Sequence, residues 1–370
     1  MIKQIHINLQ KKQFQQVRKN NIHYNYYFCF VIYYFLLCFS SFSQNKINMI
    51  VPHNKFKNFQ EKYGYIPASD KNDLHIIQSR MLQGVYRNRK IENIYCNYLI
   101  DSVGHINFMR NERLEQDAIN ELNDIKKRQR LTDEERLLSN LLSSQPMAFN
   151  IFLPLKWKDY SIATCVFQSL LSELSLKSVD NIRLEYVLGD DNGKSKRIIQ
   201  TDNSCFDVYI EYTDNNNNKA GIGIEVKYTE SFSKTDFNKE QGEKKERYIR
   251  AINLYNQTFK KNYTEKYLSP KFNQLFRNQL LAVEVQDKFK INCVQIVVHS
   301  EQDNKCLEAI EEFKSILNRT NIFYSFTIEQ LILTILKCTP ENDERKALYE
   351  SIYNRYCNYS LLNKIIYTQP

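Results

Sequence analysis

The sequence predicts an α/β chain with a mainly helical region ahead of it, and three observations carry that prediction. Residues 205 to 228 hold two runs of alternating apolar residues, CFDVYIEY and GIGIEVKY, on either side of an asparagine-rich stretch, the pattern of two strands joined by a turn. From about Tyr160 onward, helix-like and strand-like periods follow one another as far as His299. Residues 49 to 140 read as mainly helical and charged.

The first 48 residues stand apart. Residues 28 to 39, FCFVIYYFLLCF, form an apolar run preceded by Lys3, Lys11, Lys12, Arg18 and Lys19 and followed by Ser40, Ser41 and Ser43. Such a run is short for a membrane span and suits the core of a signal peptide, which would mean export. The segment is also rich in Asn, Ile, Lys, Tyr and Phe, as a chance translation of AT-rich DNA would be, and Met49 offers another start. A cytoplasmic chain is the preferred expectation, with export the alternative if residues 1–43 are a genuine signal peptide. No membrane association is expected of the mature domain.

Within residues 49 to 140, the stretch 110 to 130 is helical and charged, and Thr132-Asp133-Glu134-Glu135 reads as an N-cap followed by acids. Pro146 and Pro154 bracket an apolar passage. The expected elements beyond are a helix over 160–176, a strand over 182–188, and a turn at Gly189-Asp190-Asp191-Asn192-Gly193. The hairpin follows, then a charged helix over 243–259, a helix after Pro270 and a strand over 291–299.

In the hairpin, Phe206, Val208, Ile210 and Tyr212 make one apolar face, and Ile222, Ile224 and Val226 its continuation. Period two sends Asp207, Glu225 and Lys227 to the other side. Residues opposed in an antiparallel pair point the same way, so Asp207 must lie opposite Glu225 or Lys227, with a turn around 214 to 219. Either register gathers two carboxylates and an ammonium, a set suited to a hard divalent cation such as Mg2+ and to phosphodiester hydrolysis. Gly221 and Gly223 lie on the face of Glu225, where a backbone or ligand could come close.

Asp207, a turn, and Glu225-Val226-Lys227 together resemble the PD-(D/E)XK nuclease superfamily, whose signature is an aspartate, a hairpin and (D/E)-x-K on the next strand. Phe206 stands where the superfamily's name has proline, a position that varies among such enzymes. Residues 141 to 155, LLSSQPMAFNIFLPL, and 274 to 282, QLFRNQLLA, are similar to segments of a little-characterised bacterial branch. The resemblance implies a restriction-endonuclease-like core over residues 141–370, α/β in the order αβββαβ, with a mixed sheet flanked by helices and residues 49–140 as its helical N-terminal region. It implies a metal-dependent nuclease acting on DNA, with Asp207, Glu225 and the Val226 carbonyl holding Mg2+ or Mn2+. Lys227 then orients or deprotonates the attacking water. A homodimer is implied where both strands are cut. The alternative is a non-catalytic nucleic-acid-binding or scaffold protein that keeps the fold.

A third carboxylate often completes such sites. Glu173 shares the helical stripe of Val166, Leu170 and Leu174; Glu185 alternates with Leu184 and Tyr186 and is the preferred candidate. Gln274 and Arg277 share a helix face, from which they could touch a phosphate or orient the cluster. The run Lys244, Lys245, Arg247, Tyr248, Arg250 and Tyr255 reads as a solvated face, interrupted by Glu240, Glu243 and Glu246.

Bulk charge says little about partners. Of the +9 formal charge, residues 1–48 supply six Lys or Arg and no acid, which leaves 45 basic against 42 acidic residues beyond them. With 42% hydrophobic and 25% charged residues, the composition is that of an ordinary globular chain. Seven cysteines follow Met49 (Cys96, Cys165, Cys205, Cys293, Cys306, Cys338, Cys357), odd in number and without a CxxC pair, so neither a disulfide framework nor a zinc site is expected. Cys293 should behave as a small buried hydrophobe. The six scattered histidines support neither a His-based metal site nor a Ser-His-Asp arrangement.

Overall fold

Five strands form one mixed sheet in the order β1-β2-β3-β4-β5 in a computed structural model that describes residues 73–90, 107–128, 133–188, 202, 204–240 and 242–362. The leader-like segment and the turn expected at residues 189–193 lie outside those residues. The strands are β1 (Leu176–Tyr186), β2 (Phe206–Asp214), β3 (Lys219–Lys227), β4 (Asn292–His299) and β5 (Phe323–Thr327). The β1–β2 and β2–β3 pairs are antiparallel, whereas β3–β4 and β4–β5 are parallel. The helices are α1 (Leu74–Lys90), α2 (Glu112–Lys127), α3 (Glu134–Ser139), α4 (Ser144–Phe152) and α5 (Ser161–Leu170) before the sheet. After it begins come α6 (Glu243–Leu254), α7 (Thr264–Leu268), α8 (Asn273–Phe289), α9 (Asn304–Ile316), α10 (Ile328–Cys338) and α11 (Arg345–Tyr356). Around the αβββαβ core of α5, β1–β3, α8 and β4, this is the α/β restriction-endonuclease-like arrangement that the sequence led us to expect.

Period two explains how the sheet is covered. Ile182, Leu184, Val208, Ile210, Ile222, Ile224, Val226, Val294, Ile296 and Val298 face one layer, packed with apolar residues of α2, α4, α5, α10 and α11. Phe108, Leu114, Leu122 and Leu137, from the helical N-terminal region, belong to that same core. The opposite layer is made by α6 to α9, with Tyr248, Tyr267, Phe276, Phe313 and Val297 in one cluster and Tyr209, Leu281, Val285 and Cys293 in another. β3 is therefore buried on both faces, and the polar side of the hairpin lies under α8 instead of in solvent.

Local chemistry fixes several boundaries. Asp133 caps α3 through the backbone N–H of Arg136 at 2.9 Å, and Pro146 sits in the first turn of α4, where a missing N–H costs nothing. The hairpin loop is 214–218: the Asp214 carboxylate accepts from the N–H groups of Asn216 and Asn218 at 2.8 Å, and Asn217 takes a positive φ of 63°. Three elements differ from expectation: the charged helix expected over 243–259 ends at Leu254, and the helix and strand ahead of the hairpin are divided elsewhere. The helix predicted over 160–176 stops at Leu170, and β1 begins at Leu176, because Ser175 turns left-handed (φ 48°) and the strand carries register breaks near Leu176 and Val179 that hide its alternation. In consequence Glu173 sits on a short 3-10 turn and is exposed, not on an inward helical stripe.

The glycines answer to a side chain, not to a ligand or another backbone. A Cβ on Gly223 would lie 2.3 Å from the ring of Phe206, and one on Gly221 2.3 Å from the Tyr209 hydroxyl. Phe206 stacks with Tyr186 and Tyr209 on this side of the sheet, so its ring leaves the apolar face that alternation assigned to it.

The cysteine expectation is corrected. Cys165 on α5 and Cys338 at the end of α10 form a disulfide across 173 residues of sequence. Spacing could not reveal it, since two packed helices and not a motif bring the sulfurs together. Among the described residues Cys293, Cys306 and Cys357 form no disulfide, and Cys293 is buried as expected. Among the described residues no helix is long and apolar enough to cross a membrane.

Two outcomes follow. Gly223→Ala should cost about 1–3 kcal/mol in denaturant unfolding, since the Phe206 ring must leave its stack; an unchanged midpoint would refute that packing account. Glu329, buried in the first turn of α10 near Glu301, has its carboxyl pushed up to about 7 by burial. Its folded-state value lies above its unfolded one, so stability drains away as pH climbs from the unfolded value through 7. Glu329→Gln should therefore raise the free energy of unfolding near pH 8 by up to on the order of 3 kcal/mol, read from denaturant midpoints, and the gain should fade toward about pH 5.

Candidate active site

The ladder of the hairpin decides the register. Val208 pairs with Ile224 and Tyr209 with Gly223, which puts Asp207 level with Glu225, the first of the two registers left open by the sequence. On the other side, Leu184 pairs with Val208 and Tyr186 with Phe206, so Glu185 stands beside Asp207. Glu185, Asp207 and Glu225 thus form a row across β1, β2 and β3, with Lys227 two residues further along β3.

Glu225 and Lys227 are buried, 4% and 6% exposed, and an unmatched charge at such depth is costly. Each is matched. The Lys227 ammonium donates to Glu225 Oε1 at 2.8 Å and to the Gln274 side-chain carbonyl at 3.0 Å, while Gln274 Nε2 donates back to Glu225 Oε1 at 2.6 Å. The second oxygen of Glu225 accepts from Asn278 Nδ2 at 2.6 Å. Burial alone would lower the pKa of Lys227, but the charges of Glu225 and Asp207 outweigh it and hold the ammonium above the usual lysine range. Phe232 covers it from 5.5 Å.

Asp207 is less well matched. Its Oδ2 accepts the Val226 N–H at 2.7 Å, yet desolvation, then the charges of Glu225 and Glu185, push its carboxyl well above the ordinary aspartate value. Glu185 is held toward the start of α4: its Oε1 accepts from Gln145 Nε2 at 3.0 Å and its Oε2 from the Cys205 thiol at 3.5 Å. Its backbone is left-handed, φ 50°, which costs a non-glycine residue about 1–2 kcal/mol and breaks the strand's alternation at this point. Sequence alternation alone could not have placed its carboxylate.

Further groups complete the surroundings. The guanidinium of Arg136 on α3 donates to Glu230 and, from Nε, to Ser143 Oγ at 2.9 Å; Glu230 also accepts from the Ser144 N–H at 2.8 Å. Burial would raise the pKa of Glu230, but Arg136 and the Ser144 N–H bring it below the usual range. Arg277, one turn along α8 from Gln274, donates to Asp202 at 2.6 Å, and the Tyr248 hydroxyl donates to the same oxygen. Of the basic-aromatic run, Tyr248 is thus buried, and Lys245 bonds the Asn238 carbonyl at 2.9 Å.

Sequence reasoning brought Asp207, Glu225, Lys227, Glu185 and Gln274 to one place and missed Asn278, Gln145, Arg136 and Glu230. Asn278 had a legible signal, four residues after Gln274 on the same helix face. Arg136 and Glu230 had none, because their neighbourhood exists only once α3 and α4 pack against the end of β3.

The donor set favours a hard cation that keeps much of its water. Among the described residues no three His, Cys, Asp or Glu side chains gather around one point. Asp207, Glu225 and the Val226 carbonyl are the oxygen donors that could hold a divalent cation here, and the positive charge of such an ion would favour the ionised form of Asp207, which burial and its acidic neighbours oppose.

A family model described as the PD-(D/E)XK nuclease superfamily matches residues 75–358. No curated protein and no solved structure matches the chain. A match reaching from α1 to α11, and enclosing every side chain described above, makes this chain a member of the PD-(D/E)XK nuclease superfamily.

Proposed function

We propose that this chain is a divalent-metal-dependent DNA endonuclease whose site is Asp207, Glu225, Lys227 and Glu185. The observation that carries the reading is the bonded Glu225–Lys227 pair, fixed by Gln274 and Asn278 within reach of the charge of Asp207. Asp207, Glu225 and the Val226 carbonyl would hold Mg2+, or Mn2+ in its place, which when bound polarises the phosphate and the water that attacks it. Lys227 orients the attacking water and steadies charge growing on the phosphate oxygens, being locked in place before substrate arrives. Glu185, anchored by Gln145, adds negative charge that strengthens the cation's hold on the row.

The compartment is a separate matter. A cytoplasmic setting is the reading a DNA nuclease acting within its own cell calls for, but the Cys165–Cys338 bridge pulls the other way, since disulfides persist mainly in oxidising surroundings. Alkylating the protein as cells are opened will decide: labelled Cys165 and Cys338 fit the cytoplasm, whereas protection of both fits export.

Supercoiled plasmid incubated with the purified chain and Mg2+ or Mn2+ should become nicked or linear. Lys227→Ala should cut at least about 100-fold more slowly, in line with the loss of one preorganised charge-stabilising group. Binding without cutting by both proteins would instead support the scaffold alternative. Failure of the parent chain to cut with either cation would sink the enzyme reading.

A further inference from the structure

Two arginines flank the carboxylate row from opposite sides, and neither serves to hold Glu225 or Asp207. Arg136 lies on the side of α3 and α4, with its side chain 41% exposed; Arg277 lies on α8, with its side chain 27% exposed. Each is fixed by an acid outside the row, Glu230 for Arg136 and Asp202 for Arg277, and those acids are the more buried partners at 25% and 12%. The acids are fixed in turn, Glu230 by the Ser144 N–H at 2.8 Å and Asp202 by the Tyr248 hydroxyl at 2.6 Å. The field of Asp207 reaches Arg136, and that of Glu225 reaches Arg277. The bond to Asp202 uses Nε of Arg277, so the two terminal nitrogens are not taken up by that acid.

A planar guanidinium held in one rotamer, with open donors beside a hydrolytic centre, is the side chain best shaped for a phosphate. We infer that Arg136 and Arg277 are phosphate-positioning residues on the two sides of the scissile bond. The nucleic-acid strand then runs from α3–α4, across Asp207 and Glu225, to α8. Glu230 and Asp202 keep the forks oriented and their charge balanced until a strand arrives. This inference rests on the proposed nuclease reading and deepens it: a site gripping phosphates on both sides of the cut takes internal positions of a chain and disfavours its ends.

The test is fluorescence anisotropy of a labelled DNA duplex binding the full chain in Ca2+ over a range of salt, alongside cleavage kinetics in Mg2+. Each neutralised phosphate contributes about one to the slope of log K against log salt. Arg136→Ala and Arg277→Ala should each reduce that slope by about one, and the double variant by about two, with KM raised more than kcat is lowered. Arg136→Lys and Arg277→Lys should restore the slope, which a purely structural tie would not require. Glu230→Gln should keep the slope and tighten binding.

Unchanged slopes in the alanine variants, with only a lower melting temperature, would overturn the inference and leave both arginines as fold ties. A change at one arginine alone, or no salt-dependent binding by the parent chain, would overturn the two-sided strand path as well. The underlying reading fails separately: slopes that fall as expected in a parent chain that never cuts would keep the strand path and refute the nuclease, whereas Lys227-dependent cutting with unchanged slopes would do the reverse.

Discussion

The structure is organised around one constraint, a carboxylate and an ammonium side by side on a strand that both faces of the protein cover. Glu225 and Lys227 could not remain at that depth singly, because an unpaired buried charge costs several kcal/mol. Their mutual bond is insufficient, since each has further donors or acceptors to satisfy. The two amides of Gln274 and Asn278 supply what is missing, and they can do so only if α8 crosses β3 with that face down. The position of α8 is thus dictated from the site outward, and the aromatic packing of α6, α7 and α9 follows from where α8 lies.

Asp207 shows the opposite economy. Burial disfavours its charge first, Glu225 on one side and Glu185 on the other add to that, and the Lys227 charge and the Val226 N–H do not offset them. A row in which one member is rigidly satisfied and the next is left in deficit is a row prepared to take up a positive charge. The left-handed backbone at Glu185 belongs to the same arrangement. It carries strain, it ends the regular alternation of β1, and it allows Tyr186 and Phe206 to turn together onto the side of Gly223.

What could be read in advance divides along physical lines. Asp207, Glu225 and Lys227 were legible because period two and antiparallel register are local rules, which hold wherever the ladder is regular. They fail where it is not: β1 hid its first half behind two register breaks, and Glu185 sits at a backbone reversal that no sequence period encodes. Glu173 misled because a helical stripe was extended past Leu170, where the helix had already stopped. The disulfide between Cys165 and Cys338, the strand β5, and the Arg136–Glu230 contact depend on packing between distant segments, for which spacing is silent. Segments 141–155 and 274–282 were recognised by resemblance alone, and the structure gives them a reason: they are α4 and α8, the helices that bring Gln145, Gln274 and Asn278 to the row.

Beyond residue 48 the 45 basic and 42 acidic residues nearly cancel, so attraction for a strand there depends on where the charges lie and not on their sum. Recognition must instead come from a few local charges whose directions are set beforehand. An arginine fixed by a half-buried acid suits that role better than a free one, because its side-chain entropy is already spent and the bare site is not left with an unbalanced cation. The same logic that forces Lys227 to carry its own carboxylate into the core would then extend to the rim, where each positive group keeps an acid at hand that a phosphate can replace.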